Sequence, residues 1–126
     1  MIKPLLFLTL AVLALPLGGA GCRKGEAPAA DASPLLEQSF KTAAPELKQS
    51  IATVSSGLKA GNYAEATREL SPIVAQQQLT PEQKRAVSTA LLQINQAIVA
   101  DPKLDTKEMY EMRAKMFDAL QRGARF

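Results

Sequence analysis

The residues best able to do chemistry in this sequence are a lone cysteine and two pairs of glutamates. Glu65 with Glu69, and Glu108 with Glu111, have the spacing that places two carboxylates on one face of a helix, as paired acid and base catalysis requires. Basic residues lie close to both pairs, so an exposed surface of mixed charge is the simpler interpretation. The sequence contains no histidine, which excludes Ser-His-Asp and Cys-His catalysis and the usual zinc sites. We therefore expect a protein that is not an enzyme and that holds no metal and no cofactor.

The lone cysteine, Cys22, directly follows a segment with the pattern of an export signal. This segment begins with one charge, Lys3, continues through apolar residues 4–17 and ends in small residues 18–21. Such an order is typical of a secretory signal peptide. The segment resembles the signal of bacterial lipoproteins, in which the cysteine is lipidated and becomes the first residue of the mature chain. The resemblance implies that residues 1–21 are removed and that Cys22 carries a covalent lipid, such as palmitate.

Two other fates of this segment stay open at the level of sequence. Ordinary cleavage near Ala20 would release a secreted protein in which Cys22 is a free thiol. An uncleaved segment would anchor the chain directly, but at ~1.5 Å per residue it would barely cross the ~30 Å hydrocarbon core of a bilayer. Pro16 also makes it a poor membrane helix. We expect export, with Cys22 attaching the chain to a membrane of the cell envelope.

The residues that follow the signal predict a flexible tether. Residues 22–33 are small, polar and proline-containing, and they lack the apolar surface needed to offset the entropy lost on ordering. Gram-negative lipoproteins that stay at the inner membrane commonly have Asp after the cysteine, whereas this chain has Arg23. By that resemblance, the periplasmic face of the outer membrane is favoured. The formal charge of +3 includes Lys3 of the signal, so the remainder is only slightly basic and nucleic acid is not an expected partner.

Residues 34–126 predict an all-α domain, a small bundle of four to five antiparallel helices, because apolar residues recur at helical spacing throughout. Pro45 indicates either a kink within the first helix or, as we favour, a break with a new helix starting at the proline. Thr80, Pro81 and Gln83 form the clearest start signal, with the pattern of a capping box.

Two later features of the helical pattern give more specific expectations. The helix after Pro81 carries Leu92 and Val99 as a second apolar stripe, from which we expect a central helix packed on two sides. Asp105, with Glu108 three residues later, has the pattern of an N-cap for the final helix.

The turn between the second and third helices has a recognisable composition. Gly61, Tyr63 and Ala66 stand in a Gly-x-Tyr-x-x-Ala run between two helical segments. This run resembles the turn of a tetratricopeptide repeat. The resemblance implies that Gly61 takes the tight turn, that Tyr63 fills the groove between the helices and that Ala66 allows their close approach. No second copy follows at a ~34-residue period, so we expect one repeat-like hairpin within a compact bundle and not a solenoid.

The final helix has an apolar face wide enough to suggest two roles. The face consists of Met109, Tyr110, Met112, Met116 and Phe117. One interpretation is that these residues are core, as such stripes usually are. The other is a candidate interaction face, because methionine-rich surfaces repack easily around partners. We expect a lipid-anchored domain that contacts another envelope protein; the alternative is a secreted helical domain that binds a small apolar ligand.

Overall fold

The computed structural model describes residues 31–76 and 78–122, and within them the chain is all-helical, as the sequence predicts. The five α-helices and one 3₁₀ turn are α1 (Ser33–Ser39), α2 (Pro45–Ala60), α3 (Tyr63–Gln76), α4 (Pro81–Ala100), η1 (Pro102–Leu104) and α5 (Lys107–Arg122). The predicted signal peptide, Cys22 and the tether as far as residue 30 lie outside the described residues.

The helices begin and end where local chemistry favours it. Pro45 occupies the first turn of α2, which confirms the break, since a proline there loses no helical hydrogen bond. The capping box at α4 is also confirmed, because the Gln83 N–H donates to Thr80 Oγ1 (3.2 Å) and the Thr80 N–H donates to Gln83 Oε1 (3.0 Å). The N-cap of α5 differs from the prediction by one residue. Thr106 Oγ1 accepts from the Met109 N–H (3.2 Å), whereas the Asp105 carboxylate binds Arg113.

The hairpin of α2 and α3 brings two helices unusually close. Gly61 ends α2 with φ of 75°, a left-handed conformation in which glycine has no steric penalty. Asn62 then caps α3 by accepting from the Glu65 N–H (3.4 Å). A Cβ on Gly57 would lie 3.1 Å from both the Ala66 Cβ and the Asn62 carbonyl oxygen, so the missing side chain permits the contact.

The core forms around α3, which packs extensively against α2 and α5 and also contacts α4, while α1 joins α2 to α4. Its largest fully buried side chains include Leu36, Phe40, Ile51, Leu70, Ile94 and Met116. The expectation that α4 is central and packed on two sides is wrong. Its Ile94 face is buried, but Leu92 and Val99 on the other side are exposed because no helix of the described residues covers them.

Two residues that the sequence assigns to the tether are packed into the domain. Ala32 and Ser33 are fully buried. The Ala32 N–H donates to the side-chain oxygen of Gln93 on α4 (2.9 Å), and the Ser33 hydroxyl lies within hydrogen-bond distance of Asp31 Oδ1 (2.6 Å) and of the Ser55 carbonyl (3.1 Å). The contacts with Gln93 and Ser55 join residues far apart in the sequence and form only in the folded domain, which explains why composition alone places the boundary at residue 34.

Candidate interaction surface on α4 and α5

The predicted interaction face of α5 divides into a buried part and an exposed part. Met109 and Met116 are 3% and 1% exposed and belong to the core, and Met112 is half-buried against it. Tyr110 and Phe117 are 63% and 61% exposed. The core interpretation therefore describes Met109 and Met116, and the methionines do not supply an exposed repacking surface. The interaction face stays a prediction for the two exposed aromatic side chains.

Leu92 and Val99 on α4 supply a second pair of exposed apolar side chains, 55% and 68% exposed. Both pairs have the spacing i, i+7, which places the members two turns apart on one side of their helix. Sequence analysis detected the α4 stripe, but it interpreted the stripe as a buried contact. The sequence contains no signal that another helix fails to reach it.

A polar link joins the two helices between these pairs. The Arg113 guanidinium on α5 donates from Nη1 to Asn95 Oδ1 on α4 (2.7 Å) and from Nη2 to Asp105 Oδ1 in the connection (2.6 Å). Asn95 lies five residues before the end of α4 and Arg113 six residues after the start of α5, so the link joins positions at similar distances from the connection, as in an antiparallel helix pair. The helices make little direct contact with each other, and the Arg113 side chain spans the gap between them.

The positions around this link place all four apolar side chains on one side of the helix pair. A helix turns by ~100° per residue. Viewed along the helix axis, the residue three positions before a given residue and the residue four positions after it are therefore both rotated by about 40–60° in the same direction. Leu92 and Val99 have this relation to Asn95, and Tyr110 and Phe117 have it to Arg113. In an antiparallel pair whose linked residues face each other, both pairs of side chains turn towards the same side. All four side chains are exposed, so that side lies away from the core.

These four residues, Leu92, Val99, Tyr110 and Phe117, are called the α4/α5 apolar surface below. With about 60% of each side chain exposed and ~200 Å² for an aromatic side chain, the surface offers roughly 400–500 Å² of apolar area. Apolar patches of ~300–600 Å² on single chains are often functional. Within the described part of the chain, these are the most exposed of the large apolar side chains.

The glutamate pairs do not come together in one cleft. Glu65 accepts from the Asn62 side chain (2.6 Å) and lines a groove along α2, whereas Glu69 lines a different groove beside Pro72. Glu108 and Glu111 each pair with an exposed base: Arg68 Nε lies 3.4 Å from Glu108, and Lys107 Nζ lies 3.9 Å from Glu111. Each carboxylate is thus part of a solvated surface of mixed charge.

The three turn residues take positions that suit a tight hairpin. Gly61 has the left-handed conformation, Tyr63 is half-buried and packs against the core, and Ala66 is fully buried opposite Gly57. Sequence reasoning missed Gly57, since a glycine inside a helical stretch gives no sign of which neighbour approaches it. The turn is a structural feature of the domain and lies on different helices from the α4/α5 apolar surface.

The grooves of the described residues are open to solvent. One of about 600 Å³ lies between α1 and the start of α4 and is lined mostly by exposed polar and charged side chains, with Leu35 at its edge. Residues 31–76 and 78–122 contain no cluster of three or more metal-ligating side chains. In the same part of the chain, no helix combines the length and apolarity of a membrane span.

No protein-family model matches the chain, and no curated protein or solved structure is significantly similar to it.

Proposed function

We propose that this chain is a lipid-anchored protein of the cell envelope whose helical domain acts, without catalysis, by contact with another protein. The α4/α5 apolar surface is the observation that carries this proposal. Its four side chains are each more than half exposed, whereas most other large apolar residues of the described domain are buried in one core or partly buried against it. Burying ~400–500 Å² of apolar area would favour association at ~25 cal/mol per Å², before the cost of association is subtracted.

The anchor is proposed from the segment that ends at Cys22. A lipidated cysteine would leave about nine residues between the membrane and Asp31, the first residue that the structure describes. Fully extended, nine residues reach ~30 Å, so the domain would stay close to the membrane while remaining free to turn. We place the protein on the periplasmic side of the envelope, at the outer membrane in a Gram-negative host, with the α2–α3 hairpin as a single repeat-like unit.

A secreted carrier of an apolar ligand has less support. Such a ligand requires an enclosed, mostly apolar space between helices. The grooves described above are open, and their linings are mostly exposed residues.

The anchor is tested by the intact mass of the chain extracted from host membranes, beside a Cys22→Ser variant. We expect a wild-type species that starts at Cys22 with added acyl mass, and a variant that lacks this mass and leaves the membrane fraction. An unmodified mass that starts near residue 21 would contradict the anchor. So would a mass that retains residues 1–21.

A further inference from the structure

The α4/α5 apolar surface is self-complementary. Its aliphatic row lies on α4 and its aromatic row on α5, with Leu92 level with Phe117 and Val99 level with Tyr110, because the Asn95–Arg113 link lies between the members of each row. A two-fold axis along the groove between the helices sets Leu92 of one copy on Phe117 of the other. The same axis sets Val99 of one copy on Tyr110 of the other. One rotation therefore covers all eight side chains.

The area is that of a small symmetric interface. Two copies would bury roughly 800–1,000 Å² through the four apolar residues alone. Exposed neighbours on the same sides of the two helices, Ser88 and Gln96 on α4 and Ala114 and Gln121 on α5, would extend the contact. The total then passes the ~1,000 Å² above which an interface between proteins is commonly specific.

The charge of the domain permits two copies to meet and gives no attraction to an anionic membrane. The described residues contain eleven basic and eleven acidic side chains, so their net charge is zero. Net charge far from zero keeps proteins apart, whereas neutrality favours association. Next to the apolar surface, Lys107 Nζ lies 3.9 Å from Glu111, and Arg122 pairs with Asp118, so each of these two basic side chains has an acidic neighbour.

We propose that a second copy of this chain covers the α4/α5 apolar surface in a symmetric dimer. This inference rests on the proposed function, because it names the protein that the domain contacts. The Arg113 link holds the two apolar rows at a fixed separation, which gives the dimer its register. Tethers on both copies would raise their local concentration if they enter one membrane.

The first test measures pairing of full-length chains. Two versions with different C-terminal tags are expressed together, the membranes are dissolved in a mild detergent, and one tag is captured. We expect the second tag to accompany it. Phe117→Glu in both versions should reduce recovery of the second tag at least tenfold, and Leu92→Glu should do the same. Ala52→Glu, at an exposed position on α2, is the matched control and should leave recovery unchanged.

The second test locates the contact within the membrane, before any detergent is added. Leu92→Cys in one tagged version and Phe117→Cys in the other should form a mixed disulfide on mild oxidation, faster than a pair of Ala52→Cys versions. Circular dichroism of every variant should show unchanged helicity, which separates loss of pairing from loss of folding.

Several results would overturn the dimer. The first is that captured wild-type chains bring no second tag with them. The second is pairing that survives both glutamate substitutions. The third is cross-linking of the Ala52→Cys pair as fast as that of the Leu92→Cys and Phe117→Cys pair. A monomeric chain whose Phe117→Cys thiol cross-links only to a different protein, or is shielded by lipid, would also overturn it. The anchor can fail separately: if Cys22→Ser releases no chain from the membrane but the copies still pair, the anchor is wrong and the dimer stands.

Discussion

Replacing Gln93 by methionine should detach the start of the domain from α4. The Gln93 side-chain oxygen accepts the Ala32 N–H at 2.9 Å, across 61 residues of sequence, and both residues are buried. Methionine has a similar length and helix propensity but lacks a good acceptor. Because Ala32 is fully buried, water cannot replace the lost partner without opening the packing. A buried N–H left without a partner costs ~1–3 kcal/mol.

The assay is chemical and thermal unfolding of the wild type, Gln93→Met and Gln49→Met. Gln49 lies within α2, is exposed and is outside the α4/α5 apolar surface, so its substitution makes the same chemical change without losing a buried bond. For a domain of this size, ~1 kcal/mol corresponds to about 4–8 °C in Tm, so we expect Gln93→Met to melt roughly 8–16 °C below the control for a ~2 kcal/mol loss. Hydrogen exchange should accelerate first in α1.

Equal free energies of unfolding for the two variants would refute this reasoning. So would a loss of protection spread evenly over all helices, since that would mean that Gln93 acts through general packing and not through its bond to Ala32.

Three further predictions test other parts of the structure. In a Leu92→Glu background, which disrupts the proposed dimer, Met116→Ala should cost ~2–5 kcal/mol of unfolding free energy and Tyr110→Ala less than ~1 kcal/mol, because only the methionine is buried within one chain. Similar losses in urea titrations would contradict the division of the α5 face. Gly57→Ala should lower the free energy of unfolding by up to ~2 kcal/mol in the same titrations. Crowding of the new Cβ against the Asn62 carbonyl and Ala66 costs ~1–3 kcal/mol, whereas the gain in helix propensity is only ~1 kcal/mol. The pKa of Asp31 is lowered by hydrogen bonds from the Ser33 hydroxyl and then the Ser33 N–H, and more weakly by Lys59, against the opposing effect of burial. The ionised Asp31 carboxylate therefore stabilises the folded domain above pH ~4, and this stabilisation is lost as pH falls through the folded-state pKa. The difference in stability between wild type and Asp31→Asn should therefore shrink below pH ~4, and a constant difference would show that the carboxylate charge is not involved.

The parts of the fold that the sequence predicts are those encoded by neighbouring residues. The capping box of Thr80 and Gln83 needs only the backbone next to it, and Gly61 takes its left-handed conformation wherever a helix must stop sharply. Pro45 acts through its own missing N–H. These signals sufficed to give the helices and the all-α class.

The parts that the sequence could not give depend on distant partners. Leu92 has the same apolar character whether a helix covers it or not, and helical periodicity cannot tell which of two stripes meets the core. Asp105 was interpreted as a cap because its competing partner, Arg113, lies eight residues further along the chain and becomes its neighbour only when α5 has formed. The same holds for Gln93, whose bond to Ala32 moves the start of the domain into the predicted tether.

The charge distribution indicates which forces can act at each end of the chain. Since the described domain is neutral, the excess of positive charge comes from residues outside it, among them Arg23 and Lys24 beside Cys22. In the proposed anchored chain, electrostatic attraction to an anionic membrane would come from these residues. In the proposed dimer, recognition by the domain would rest on apolar burial, which is short-ranged and without direction of its own. The relative orientation of the two copies would be set by the Arg113 link, because it fixes the two apolar rows relative to each other. The specificity of the surface would then depend on a polar bond that the partner need not touch.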